Sequence, residues 1–198
     1  MGRSVVFTFL CALLLMGCFE KEVIVPEPSF YDRLAANGKV TLAVQKINFD
    51  NSYLPSSKLL PTGLVYVEQR APEQPLFVLN NIFKNRYAAA GGEFTARINI
   101  VEASILRVPN PEKRPVPGWS ETTNTFRYDL RFDVDIEVLD KRGFIAASTN
   151  SVVTRSKEEP VGESAQISLL QAMTEEAAEA LDQEMYLAVK RYLEIFVD

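Results

Sequence analysis

Few residues of this chain stand in a spacing that could do chemistry. Cys18 closes the run Leu15-Met16-Gly17-Cys18 at the end of an uncharged stretch, where its thiol could be alkylated. Asp129, Asp133, Asp135 and Glu137 alternate along one segment and would share one face of a strand. Two carboxylates so placed could hold a cation or move a proton. Arg127 and Arg131 interleave with them, so cross-strand ion pairs on a solvated face account for the set without any reaction. Glu175, Glu176, Glu179, Asp182 and Glu184 have the spacing of the wet side of a helix. Trp119, in a proline-rich stretch, and Glu68 with Gln69, in another, are candidates for partner binding, since an exposed aromatic on a stiff loop is a common interface anchor.

The chain has no histidine. That removes Ser-His-Asp and Cys-His mechanisms, and zinc sites built on imidazole. No phosphate loop, metal-ligand spacing or nucleotide fingerprint occurs. The sequence therefore predicts no catalytic residue, no metal, no cofactor and no enzyme.

The context of Cys18 is a secretory one. Arg3 supplies the positive charge of an n-region, and Val5 to Met16 is an uncharged run of twelve residues. That is too short to span a bilayer, which takes about 20 helical residues, and fits a signal-peptide core. Leu15, Gly17 and Cys18 resemble the lipobox of bacterial prolipoproteins, in which a diacylglycerol is attached to the cysteine thiol before the chain is cut between glycine and cysteine. The resemblance implies cleavage between Gly17 and Cys18, lipidation of Cys18, and anchoring without a transmembrane helix. Phe19 follows the cysteine, and in the sorting rule this resembles an aspartate there would retain the protein at the inner membrane. The expected address is the periplasmic side of the cell envelope, with the outer membrane favoured.

The expected organisation is a signal peptide over 1–17, a lipidated tether over 18–29 and one domain over 30–198. Removing residues 1–17 takes away Arg3 and no acidic residue, so the net charge falls from −5 to −6. An acidic chain argues against nucleic acid, which usually meets a basic face. With Cys11 in the signal and Cys18 acylated, no disulfide is available, and stability must come from packing.

The elements that would position these residues follow from periodicity. Phe30 to Ala35 could form one helical turn. Val40, Leu42 and Val44 alternate as a strand whose phase slips past Lys46. Leu76, Leu79, Phe83, Tyr87 and Ala90 predict an amphipathic helix, opened by Pro75 and capped at Gly91-Gly92. A strand begins at Glu93 and slips at Val101. Phe126 to Val138 alternate so regularly that only a long antiparallel strand fits. Asp140 to Gly143 make a hairpin turn, and Phe144 to Arg155 return. A long helix from Ser164 to Phe196 carries Leu170, Met173, Ala177, Leu181, Met185, Ala188, Tyr192 and Phe196 as its stripe. Its length predicts a kink or a protruding end. The fold class is α+β, a two-layer sandwich of order β-α-β-β-β-α, with two helices on one face of a four-stranded, mostly antiparallel sheet. The first two strands would be parallel.

Short pieces of the domain are similar to an uncharacterised family of proteobacterial envelope lipoproteins. They are Val67-Glu68-Gln69, Asn85-Arg86-Tyr87-Ala88-Ala89-Ala90-Gly91, Glu102-Ala103-Ser104, Val153-Thr154-Arg155-Ser156 and Met173-Thr174-Glu175-Glu176. Gln69 stands where that pattern has a histidine. The layout is also similar to lipopolysaccharide-assembly lipoproteins and to auxiliary lipoproteins of ABC transporters. The likeness implies an envelope location and this fold, and no activity. The expected function is a noncatalytic accessory or assembly subunit of an envelope complex, held to the membrane by its lipid and meeting a protein partner. The alternative is a carrier holding a lipid or other apolar ligand in a cavity near Phe83, Phe132 and Met173.

Overall fold

The structure, a computed structural model, describes residues 28–54, 60, 64–110 and 126–197. It is a mixed α+β arrangement of three helices and two sheets. Helix α1 spans Phe30–Ala36 and starts in a capping box. The Ser29 hydroxyl accepts from the Asp32 amide at 3.2 Å, and the Asp32 carboxylate accepts from the Ser29 amide at 3.1 Å, so two orphan donors are satisfied reciprocally. Phe30 and Leu34, four apart, are its buried face.

The expected single first strand is two. Strand β1 (Val40–Leu42) is followed by a break and then by β2 (Lys46–Asn51). Their partners explain the break. β1 pairs in parallel with β4 (Tyr87–Ala89), and β2 pairs in parallel with β5 (Thr95–Pro109). Between the two pairings the second chain carries the extra step Gly91-Gly92. Gly92 has φ +138°, and a Cβ there would lie 2.6 Å from the Ala43 carbonyl oxygen. These glycines therefore serve a strand crossing, not a helix cap.

Helix α2 (Pro75–Arg86) opens with Pro75 as expected but stops before Tyr87. Tyr87 is extended and pairs with Val40. Its ring still packs edge-on against Phe83, with centroids 6.3 Å apart, so the helical spacing of these aromatics marks a contact that outlives the helix. The first strands are parallel as predicted; the four-stranded count is not met. The main sheet runs β2-β5-β6-β7, with β6 over Phe126–Leu139 and β7 over Ile145–Glu158, and β3 (Val65–Tyr66) adds to the far end of β5 on the β2 side.

Strands β6 and β7 make a long hairpin on β5. The Asp140 carboxylate accepts from the amides of Arg142 and Phe144 at 2.8 and 2.9 Å, closing the turn. β5 carries a bulge at Val101, between the pairings of Ile100 and Glu102, where the apolar phase slips. Tyr128, Leu130, Phe132, Val134, Ile136 and Val138 all point into the core.

Helix α3 (Glu163–Tyr192) covers the same face with Leu170, Met173, Ala177, Leu181, Met185 and Val189. The expected stripe drifts: Ala188 is half-buried and Tyr192 is exposed, while Val189 and Leu193 are buried. The first turn of the helix is exposed, and its first buried residue is Leu170. The helix spans about 45 Å, close to the extended length of β6. Beyond it a 3-10 turn at Glu194–Phe196 brings Phe196 against Phe94 and joins Leu42 to Val197. Burying each large core side chain contributes about 1.5–3 kcal/mol.

Candidate functional site

The carboxylates of β6 sit on the wet face of the sheet, and each one is engaged. Asp129 accepts from Arg127 at 3.0 Å and from the Ser156 hydroxyl at 2.7 Å. Asp133 accepts from Arg131 and from the Asn150 amide, both at 2.7 Å, and the same amide reaches Asp135 at 2.9 Å. Glu137 pairs with Arg97, and Arg131 also meets Glu102 at 2.9 Å. This is the ion-pair ladder that alternating charges imply. Among the described residues no group of acidic or cysteine side chains is placed to hold a metal ion.

Two arginine–carboxylate pairs with a buried acid are built differently. The first lies at the far end of β5 and the start of β6. Glu159 is buried and accepts from Arg107 Nε and Nη2, both at 2.8 Å, and from the Tyr128 hydroxyl at 2.7 Å. The Arg107 guanidinium also stacks 3.4 Å from the Phe126 ring centroid, a cation–π contact. The Arg107 hydrogen bonds, aided by the Tyr128 hydroxyl, hold the Glu159 carboxyl below its ordinary range. Burial, and then the hydrogen bond to Glu159, pushes the Tyr128 phenol up to about 12. Nearby, Glu68 is also buried and accepts from the Tyr53 hydroxyl at 2.9 Å. Burial pushes that phenol well above its usual value.

The second pair lies beneath α1. Arg86, the last residue of α2, donates from Nε to Asp182 Oδ1 at 2.7 Å, and Asn37 donates to Asp182 Oδ2 at 3.2 Å. The two side chains are 6% and 2% exposed, a burial that is costly for charges unless they are well paired. Arg86 Nη1 and the Tyr87 hydroxyl are buried beside it without a hydrogen-bond partner among the described residues. Burial, then the Asp182 carboxylate, raises the Tyr87 phenol. Surface clefts of about 510 and 450 Å³ flank α1, and Leu34 and Arg86 border both. Tyr31 donates to Glu73, and Arg33 meets Glu179 at 2.7 Å, holding α1 over this pair. The cluster can bind and orient an acceptor. It contains no nucleophile with a base.

Of the residues singled out from sequence, Gly17, Cys18 and Trp119 lie outside the described residues. Gln69 is exposed, in a 3-10 turn at Glu68–Arg70, while Glu68 beside it faces inward onto Tyr53 rather than out to a partner. Asp182, read as part of the wet face of α3, is instead its buried acid. The signal was present: Ala178, Asp182 and Met185 follow the i, i+4, i+7 spacing of the buried stripe. Arg86 gave no such signal, because a helix-terminal arginine is most often exposed. None of the clefts of about 510, 450 and 320 Å³ among the described residues borders Phe83, Phe132 or Met173. Among the described residues no helix is long and apolar enough to cross a membrane.

No protein-family model matches the sequence, and no curated protein matches it. Solved structures give distant likenesses. A Xanthomonas campestris protein of family DUF330 has 13% identity and a TM-score of 0.39, over 77% of this chain and 85% of its own. A minor lipoprotein from Acinetobacter baumannii has 13% identity and a TM-score of 0.39, over 76% of this chain and 96% of its own. A candidate lipoprotein from Caulobacter crescentus CB15 has 17% identity and a TM-score of 0.36, over 71% of this chain and 85% of its own. Likenesses at this level establish neither a shared function nor membership of a family.

Proposed function

We propose that this chain is a noncatalytic lipoprotein, anchored through Cys18 and facing the periplasm, that acts as an accessory or assembly subunit of an envelope complex. The observation that carries the reading is Leu15-Met16-Gly17-Cys18 at the end of the twelve-residue uncharged run Val5 to Met16. Two features of the domain support it. Its carboxylates are consumed by structural pairs, on the β6 ladder and at Glu159 and Asp182. The turn at Glu68–Arg70 presents Gln69 to solvent, as a contact residue requires. The outer membrane is the favoured address because Phe19, not aspartate, follows Cys18.

The test has two arms. Cys18→Ser should move the protein from the membrane fraction to the soluble periplasmic fraction; unchanged membrane association would defeat the anchor. A photo-crosslinking residue at position 119, irradiated in intact cells, should yield a discrete adduct with another envelope protein. Recovery of the chain with no adduct at native abundance would count against the accessory role.

A further inference from the structure

The two sides of the main sheet are finished in different ways. On one side the edge is divided between β2 and β3. On the other it is β7, fourteen residues paired only to β6 among the described residues. The Glu159 amide donates to the Phe126 carbonyl at 3.1 Å, and in an antiparallel ladder such bonded pairs alternate. The odd-numbered residues of β7 therefore bond to β6. Ser148, Asn150, Val152, Thr154 and Ser156 turn their amides and carbonyls outward. Protected edges carry lysine, proline, a central bulge or only a few residues. β7 has none of these where it matters: Ile145 to Thr154 holds no charge and no proline, and its one irregularity is at its start, opposite Val138 and Leu139.

Helix α3 runs beside this edge. A cleft of about 320 Å³ separates Asn150, Ser151 and Val152 from Glu184, Leu187 and Arg191. Leu187 is 52% exposed and Val152 42%. Glu184 and Arg191 make no ion pair or side-chain hydrogen bond among the described residues. They stand at equal distances on either side of the Leu187-Ala188 step, an acid before it and a base after it. A two-fold axis through that step would set Glu184 of each copy against Arg191 of the other, and Leu187 against Leu187. The same cleft places the axis beside Ser151, where antiparallel pairing sets neutral residue against neutral residue. Strand polarity and helix charge thus agree on one occupant, which is a second copy, since only a two-fold interface is complementary to itself.

We propose that two copies of this chain join edge to edge along β7, antiparallel about a two-fold axis near Ser151, with their α3 helices meeting through Glu184, Leu187 and Arg191. The inference is independent of the accessory role.

Sedimentation of the acylated full-length protein in density-matched detergent tests it. A concentration-dependent dimer is expected. Glu184→Lys should weaken it at least about tenfold by setting like charges together. Glu184→Lys with Arg191→Glu in the same chain should restore it to within about threefold, because the swap preserves self-complementarity. Val152→Pro, which removes an outward amide and no bond to β6, should abolish dimerisation while circular dichroism stays that of the parent. A monomer at every concentration overturns the proposal, as does a dimer indifferent to Val152→Pro, or a double swap no better than the single one. A heteromeric complex using β7 in place of the dimer, seen by crosslinking at Asn150→Cys in membranes, also overturns it.

Discussion

Arg86–Asp182 and Arg107–Glu159 are the same chemical pair in two different states of completion. At Glu159 a bidentate arginine and a tyrosine hydroxyl donate to one carboxylate, and the arginine stacks on an aromatic ring. At Asp182 the arginine binds through Nε alone, and one of its nitrogens and a neighbouring phenol are left buried without partners among the described residues. Arg107 also keeps 28% of its side chain in solvent, against 6% for Arg86. The first pair behaves as a clamp at the far end of β5 and the start of β6. The second holds charge in place under a short helix and depends on both members. Burial alone does not rank two ion pairs; what each would leave behind if broken does.

That contrast can be broken by experiment, beginning with the largest effect. Asp182→Ala strands a buried guanidinium and should cost about 3–5 kcal/mol, read as a lowered urea midpoint with an unchanged slope. Glu159→Gln should cost less, about 1.5–3 kcal/mol, because Arg107 can turn to water; equal losses at the two sites would erase the distinction. The two tyrosines differ in sign as well as size. Tyr128→Phe should cost about 1 kcal/mol, while Tyr87→Phe, which removes a hydroxyl that has no partner among the described residues, should be neutral or slightly stabilising. The smallest effect is an acid titration. The Glu159 carboxyl is held below its unfolded value, so its contribution is full above the unfolded pKa and is lost as pH falls through the folded one. The stability gap between parent and Glu159→Gln should therefore be widest near neutrality and shrink progressively below pH about 4.

The elements legible in the sequence were those whose pattern and whose partners agree. β6 alternates because it is central and has one wet face, and Pro75 marks the start of α2 because its missing amide is one the first turn leaves unpaired. The bulge at Val101 shows as a phase slip because the side-chain period of a strand is two. Tertiary context decided the rest. Tyr87 keeps a helical distance from Phe83 yet belongs to a strand, since Val40 offers it a backbone partner. Gly92 looks like a cap and is a crossing point, because the Ala43 carbonyl leaves no room for a side chain. Asp182 reads as surface by type, though its position on the stripe is internal. The contact surface proposed around Trp119 rests on sequence alone.

One small contact has a consequence for how the chain is made. The Ala43 amide donates to the Phe196 carbonyl at 2.7 Å, and Leu42 bridges to Val197. The first strand of the domain is thus finished by residues near the far end of the described chain. A ribosome delivers that segment after β1 and every other described strand, so the β1 layer closes late, and contacts so distant in sequence form slowly.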